Sequence, residues 1–401
     1  MKKFFNFLIA FYPILSGYGL SPQADFGIIL IFIVGICCII ANKKPFSFHT
    51  PEGYSLFFIT AFLMSLTFAH TIQLRLLLYT VNLCLACNFL DFGQLKRSYY
   101  ILVFITCSFF VFQNIVYLTT GLHISGIIPF IPTIYDGMGI NQALVDSQGE
   151  RFSSFFLEPS YFAQYLFPYI VFEQFSKQKN SMRNAVLVSL VVLLIRSGNG
   201  MILLMLSWGI WFLAGNYKLR VKVAYVIVGM VMITVLWKLN SVMFEGLLSR
   251  ASEFQSYGGD EQYQSSGFIR MFRGYFAYAD MPTINKLFGA HPDFVQAIFN
   301  NNIYFASNND NSINGTSTIL LYNGAVVCFL FFRHLFLMYW ACKRKVMFVM
   351  MICCIWLMLS ESYYLCARMF TTIILMYGLG CELKKSNCKQ ESKQILQKAT
   401  I

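Results

Sequence analysis

The chain has 401 residues, of which 57% are hydrophobic and only 12% charged, with a net charge of +12. Soluble domains carry about twice that share of charged residues, so a soluble globule is excluded. The apolar content equally excludes disorder, and what remains is an all-α, polytopic integral membrane protein.

A bilayer core takes about 20 apolar residues per helix. Twelve apolar runs approach that length: 4–20, 26–41, 54–70, 73–90, 99–120, 160–175, 184–199, 200–215, 221–238, 316–340, 346–360 and 365–381. They are continuously apolar rather than alternating, which excludes a transmembrane barrel. Backbone groups in lipid must be satisfied within the segment, so the runs are expected to be helices. The expected organisation is five spans over 1–120, a first long outer segment over 121–159, and four spans over 160–238. A large outer loop over 239–315, three spans over 316–381 and a polar tail over 382–401 complete it. Lys2-Lys3 before an apolar run also resembles a signal peptide. No clear small-x-small cleavage site precedes Tyr18, so this run reads as an uncleaved first span.

Lys and Arg set the orientation through the positive-inside rule. With the N-terminus inside, the inner segments collect Lys2, Lys3, Lys43, Lys44, Lys96, Arg97, Lys177, Lys179, Arg183, Lys218, Arg220, Lys222, Lys343, Arg344 and Lys345. The tail adds Lys384, Lys385, Lys389, Lys393 and Lys398. Both termini are therefore expected in the cytoplasm. The positive charge is an orientation signal, and no nucleic-acid partner is expected. The 12 Cys lie in or beside spans or in the tail, with none in the long outer segments, so no disulfide framework is implied.

The outer segments carry the chemistry. In the second, apolar residues at helical spacing predict short amphipathic helices over Val242–Phe254 and from Ser265 to Pro282. Arg270 and Arg273 are three apart and share a face of the latter, distinct from its apolar face. Two cations at the outer headgroup level suit a lipid diphosphate, which Arg binds bidentately. They equally suit headgroup anchoring of an amphipathic helix. Arg75, Arg151, Arg196 and Arg368 stand at outer ends of spans, and with Arg250, Arg270 and Arg273 they sketch a basic cavity mouth. Arg333-His334 falls inside a span, where snorkelling toward Lys343 is one explanation. His291 and Asp293 are two apart, but few other His lie outside and no Asp-x-Asp occurs anywhere, so neither a metal nor another cofactor is expected.

Before the sixth run stands Arg151-Phe-Ser-Ser-Phe-Phe-Leu-Glu158-Pro159-Ser160-Tyr161. Locally, Pro suits a first helical turn and Glu suits its positive end. The stretch also resembles the Wzy-type O-antigen polymerases, within the wider group of bacterial polysaccharide polymerases and O-antigen ligases. Members show an Arg…Glu-Pro segment at the outer face and a large late outer loop carrying Arg. Here that loop holds Arg270, then Arg273 followed by Gly289, the Asn-rich stretch Asn308 to Asn314, and Leu320-Leu321-Tyr322-Asn323-Gly324. His291 is the one His in that loop, and its context departs from the ligase pattern, which favours a polymerase.

The resemblance implies a glycosyltransferase of the bacterial inner membrane in lipopolysaccharide or related polysaccharide biosynthesis. Its substrate would be an undecaprenyl-diphosphate-linked oligosaccharide, polymerised at the periplasmic face without metal. A chain-length regulator and a flippase are partners of such enzymes. Glu158 and Arg273 are the expected catalytic pair, with Arg151, Arg270, Arg250, Arg196, Arg368 and Asn314 on the substrate. Tyr257, Tyr263, Tyr275 and Tyr278 are positioned either to stack on sugars or to belt the interface. An O-antigen ligase and a lipid-linked oligosaccharide flippase or transporter are the alternatives.

Overall fold

A computed structural model of the chain describes residues 1–21, 24–42, 46–70, 73–128, 130–134, 152–214, 218–239, 266–301 and 313–399. Twelve of its helices sit on the twelve apolar runs. These are α1 (Lys2–Leu15), α2 (Phe26–Asn42), α3 (Tyr54–Thr67), α4 (Leu74–Phe89), α5 (Phe92–Thr120), α6 (Pro159–Gln174), α7 (Ser181–Leu194), α8 (Gly198–Ala214) and α9 (Leu219–Leu239), then α13 (Gly315–Cys342), α14 (Lys345–Ser360) and α15 (Ala367–Ala399). Three shorter helices fill the second outer segment: α10 (Ser266–Ala279), α11 (Thr283–Phe288) and α12 (Pro292–Asn301). Among the described residues the strands form a single two-stranded hairpin, Gly19–Ser21 against Ala24–Asp25. The helix expected over 242–254 lies outside the described residues, as does Ser265.

Local signals explain several ends. Asp91 caps α5 by accepting from the Gln94 amide at 3.1 Å, and Gly121, at φ 70°, ends it in the left-handed conformation. Pro159 takes the first position of α6, where a missing N–H costs nothing. Two helices, α5 and α13, are long and apolar enough to cross a membrane. Others, including α2, α4, α8 and α14, are apolar but shorter than 18 residues.

The bundle is organised around α1, α6 and α15. Helix α1 packs on α2, α5 and α15. Every residue of α6 from Phe162 to Gln174 is buried, including the polar Gln164, Glu173 and Gln174. Helix α15 buries Met369 through Tyr377 without interruption. At the periphery, α5 exposes Phe104, Phe112, Ile115 and Leu118.

Contacts between distant segments divide the bundle into two ends. At one, Asn6 donates to the Phe89 carbonyl at 3.3 Å, the Lys384 ammonium meets the Glu52 carboxylate at 2.7 Å, and His334 Nδ1 meets the Glu52 carbonyl at 2.7 Å. At the other, Tyr18 bridges Thr133, Arg75 donates to the Leu365 carbonyl at 3.1 Å, and Gly315 donates to the Glu361 carbonyl at 2.7 Å. Each contact joins segments that the Lys and Arg pattern assigns to one side. His334 is thus fully buried against the turn before α3 rather than reaching for solvent.

The outer helices fold onto α13. Ala277, Met281, Ala290, Val295, Phe299, Ile313 and Leu321 form a small core of their own. Asn314 ties the two parts: its side chain caps α13 by accepting from the Ser317 amide at 2.8 Å and donates to the Met271 carbonyl at 2.7 Å. Helix α13 breaks at Gly324, with φ 82° and ψ 173°. The α11 end fits into the break. A Cβ on Gly324 would lie 2.2 Å from the Leu287 oxygen, and one on Gly289 2.5 Å from the Tyr322 oxygen. The Leu321 carbonyl, released by the break, accepts from the Ala290 amide at 3.0 Å.

Candidate functional site

At the end of the bundle where Arg75 and Gly315 make their contacts, the break in α13, the first turn of α6 and the start of α15 surround a cavity of about 640 Å³. Two guanidiniums line it, Arg75 at the start of α4 and Arg368 at the start of α15. Tyr161, Tyr322, Asn323 and Tyr364 contribute to its wall, and Pro292 of α12 reaches it from the outer segment.

Arg368 is held from several directions. Its guanidinium lies 3.5 Å over the Tyr161 ring, a stacking that fixes its plane. It is only 6% exposed, and its Nε is buried without a hydrogen-bond partner. Two carboxylates, Glu158 and Glu361, act on it electrostatically. Glu158 stands at the N-cap position of α6 and accepts from the Ser160 hydroxyl at 3.2 Å. Glu361 is buried, and its carboxylate accepts from Asn199 in the first turn of α8 at 2.5 Å. Asn199 in turn accepts from the Trp356 indole at 3.3 Å. A helix N-terminus favours a negative charge there, so this chain of contacts anchors Glu361 and keeps a countercharge near Arg368.

Arg75 is fixed by a different set. Its Nε donates to Leu365, one residue before the cavity-lining Cys366. Asp25, 2% exposed at the end of the hairpin between α1 and α2, interacts with it electrostatically. Asp25 accepts from the Ile28 amide at 2.9 Å and from the Tyr12 hydroxyl at 3.4 Å. Burial raises its carboxyl to about 6, against the opposing pull of the Ile28 amide and Arg75.

The structure thus places Glu158 where it acts electrostatically on Arg368, and Arg75 lines the same cavity as Arg368. Arg273 stands elsewhere. It is 2% exposed, and its guanidinium lies 4.8 Å over the Phe299 ring of α12. The expected open polar face of α10 is covered there because α12 folds back over it. Arg270 lies on the α10 backbone, and its side chain is outside the described residues, as are Arg151 and Arg250 altogether. Arg196 is half-buried at the turn from α7 to α8 with φ 56°, three residues before Asn199. Asn314 is fully buried, with both ends of its amide engaged in the cap and the tie to Met271.

Sequence reasoning marked Arg75 as a rim residue but not as a partner of Arg368. It passed over Glu361 and Asn199. Their signal was an acid between two apolar runs, where an isolated charge is costly without a partner. Tyr161 was part of the Glu-Pro-Ser segment, but its stacking role depends on α15 lying across from it. Among the described residues no three His, Cys, Asp or Glu cluster closely enough to hold a metal ion. His291 and Asp293 form an exposed pair 3.5 Å apart at the start of α12. No protein-family model matches the chain, and a search of curated proteins finds no match.

Proposed function

We propose that the chain is a bacterial polysaccharide polymerase of the Wzy type, a glycosyltransferase of the inner membrane. In this reading the twelve helices on the apolar runs are twelve spans with both termini in the cytoplasm. The separation of the end contacts into two sets and the excess of Lys and Arg in the inner segments support that topology. The cavity then opens toward the periplasmic face, and its substrate is an undecaprenyl-diphosphate-linked oligosaccharide.

The observation that carries this reading is the placement of two guanidiniums, Arg75 and Arg368, in one cavity, with Glu158 and Glu361 acting electrostatically on Arg368. A hydroxyl of the acceptor sugar attacks the anomeric carbon of the donor chain. The new C–O bond forms as the bond from that carbon to the diphosphate oxygen breaks, and the diphosphate leaves with the electron pair. Arg75 and Arg368 stabilise its developing charge, and Glu158 orients the acceptor hydroxyl and takes its proton. Break-derived backbone at membrane depth is tolerated where it lines a cavity or is buried in protein, as at Tyr322 and Asn323. Arg273 and Arg270, with Arg151 and Arg250, belong in this reading to the outer segments that deliver the lipid-linked chains. Arg196 supports the turn next to Asn199, and Asn314 holds the outer helices in register with the cavity.

The test is deletion of the gene in its host, with the surface lipopolysaccharide separated on a silver-stained gel and a plasmid copy as control. A ladder that collapses to core plus one repeat unit supports the polymerase. Core without sugar, with lipid-linked polymer accumulating, indicates a ligase. Bare core with unpolymerised lipid-linked units on the cytoplasmic leaflet indicates a flippase. An unchanged ladder rejects an O-antigen role.

A further inference from the structure

Helix α11 takes no part in the chemistry just described, yet two exposed apolar stripes of the bundle converge on it. On α3, Leu56, Ile59, Leu63 and Leu66 are exposed. Their three- and four-residue spacing puts them on one face, opposite the buried Phe57, Ala61 and Ser65. Just past this stripe the Phe68 ring stacks on Phe288 of α11, with centroids 4.7 Å apart and planes 14° apart. On α13, Val326, Phe329, Phe336 and Trp340 form the second stripe. Arg333 falls on it and reaches the turn at Gly53 before α3. This stripe starts just past the break at Gly324, where the end of α11 is seated. Helices α3 and α13 pack on each other, so the stripes run on neighbouring helices. Helix α11 itself exposes Ile284 to 61% and Leu287 to 43%; three apart, they share a face.

Depth follows from α13, which is long and apolar enough to cross a membrane. From the break to Cys342 it rises about 27 Å at 1.5 Å per residue, and a bilayer's hydrocarbon core is about 30 Å thick. With Lys343, Arg344 and Lys345 marking one edge of the core, the break and α11 stand near the other. We infer that α11 is a membrane-interface element: Ile284 and Leu287 rest among the acyl chains of the periplasmic leaflet, just below the headgroups. An apolar helix face at that boundary sinks about 5–10 Å into it. The lipid surface that covers the stripes of α3 and α13 thus continues over α11. Tyr322 and Asn323 before the break and Pro292 after α11 line the cavity, so anchoring α11 holds the cavity mouth at the level of a lipid-linked diphosphate. The inference rests on the twelve-span reading given above.

The test uses full-length protein in vesicles of phosphatidylethanolamine and phosphatidylglycerol. p-Acetylphenylalanine replaces Ile284, Leu287, Leu63, Phe329 or Asp293, one at a time, and carries an oxime-linked nitroxide. Each side chain replaced is exposed, so the fold is kept. Collision rates are measured with oxygen, which concentrates in lipid, and with a neutral nickel chelate, which stays in water. Labels at Ile284 and Leu287 should favour oxygen several-fold more than the label at Asp293 does, approaching those at Leu63 and Phe329. In the unsubstituted protein, a phospholipid with a diazirine in its acyl chain should label the α11 peptide. Labels at Ile284 and Leu287 that favour nickel as Asp293 does, or a lipid probe that labels α3 and α13 but not α11, would overturn the inference and leave the spans intact. Low rates with both reagents would mean that protein, a second copy or a partner, covers this face, and would overturn it as well. Labels at Leu63 and Phe329 that favour nickel would overturn the twelve-span reading itself.

Discussion

The break in α13 offers the sharpest perturbation. Gly324 has φ 82° and ψ 173°, a region essentially reserved for glycine and costing about 1–3 kcal/mol for other residues. Alanine there also places a Cβ 2.2 Å from the Leu287 oxygen, a contact that backbone must move to relieve. Strain and displacement together should cost at least about 3 kcal/mol. Gly209 is the control: it is exposed on α8, and a Cβ on it meets nothing within 4 Å. Alanine is worth up to about 1 kcal/mol over glycine in a helix. Extending the size scaling of unfolding to a chain this long, each kcal/mol moves the midpoint by about 1–2 °C. Thermal unfolding in detergent should therefore show Gly324→Ala lower than wild type by about 3–6 °C and Gly209→Ala unchanged or slightly higher. Equal midpoints for the two variants would refute the reading of the break as a fitted joint between α11 and α13.

Asn314→Ala removes the α13 cap and leaves the Met271 carbonyl without its donor, at a cost of about 2–4 kcal/mol; limited proteolysis should cut the outer helices faster while the rest of the bundle resists. Asp25 binds its proton more tightly folded than unfolded, so its contribution to stability is greatest below about pH 4 and is lost as pH rises through 6. Asp25→Asn should accordingly be more stable than wild type at pH 7, by up to about 3 kcal/mol, with the difference vanishing toward pH 4 in a pH series of unfolding midpoints. Glu361→Gln keeps an acceptor for Asn199 but removes a countercharge from Arg368; polymer yield in a complemented deletion strain should fall with protein level unchanged, and an unaltered ladder would show that Glu158 alone suffices.

The helical segments were legible because continuously apolar runs of this length have few options besides helix. All twelve runs became helices, and α10 formed where its apolar spacing indicated. Helix ends were less legible: α1 stops at Leu15 and a hairpin follows, since Gly17 and Gly19 lie in a run whose apolar character alone suggested continuation. The site was read in half. Glu158 and Arg368 were visible as charges at span ends, but 210 positions separate them, and their meeting depends on α6 and α15 packing together. Arg273 shows the converse. Its spacing on α10 was read correctly, yet the face it occupies is decided by α12, and no local pattern announces that α12 folds back. Asn314 looked like part of a polar binding stretch because a helix cap and a sugar ligand draw on the same residue types.

The most direct measurement is chain elongation by the purified protein in vesicles supplied with lipid-linked repeat units extracted from the deletion strain. Products are released by mild acid and sized by gel and mass spectrometry, comparing wild type with Arg368→Ala and Glu158→Gln. The account predicts a ladder from wild type without any other protein present, and a loss of about 100-fold or more in elongation rate from Arg368→Ala, as expected for removing a donor to a departing oxyanion. Glu158→Gln should likewise slow elongation while leaving binding of the units intact. Units that stay unelongated with folded wild-type protein, or a ladder that survives both substitutions, would contradict it.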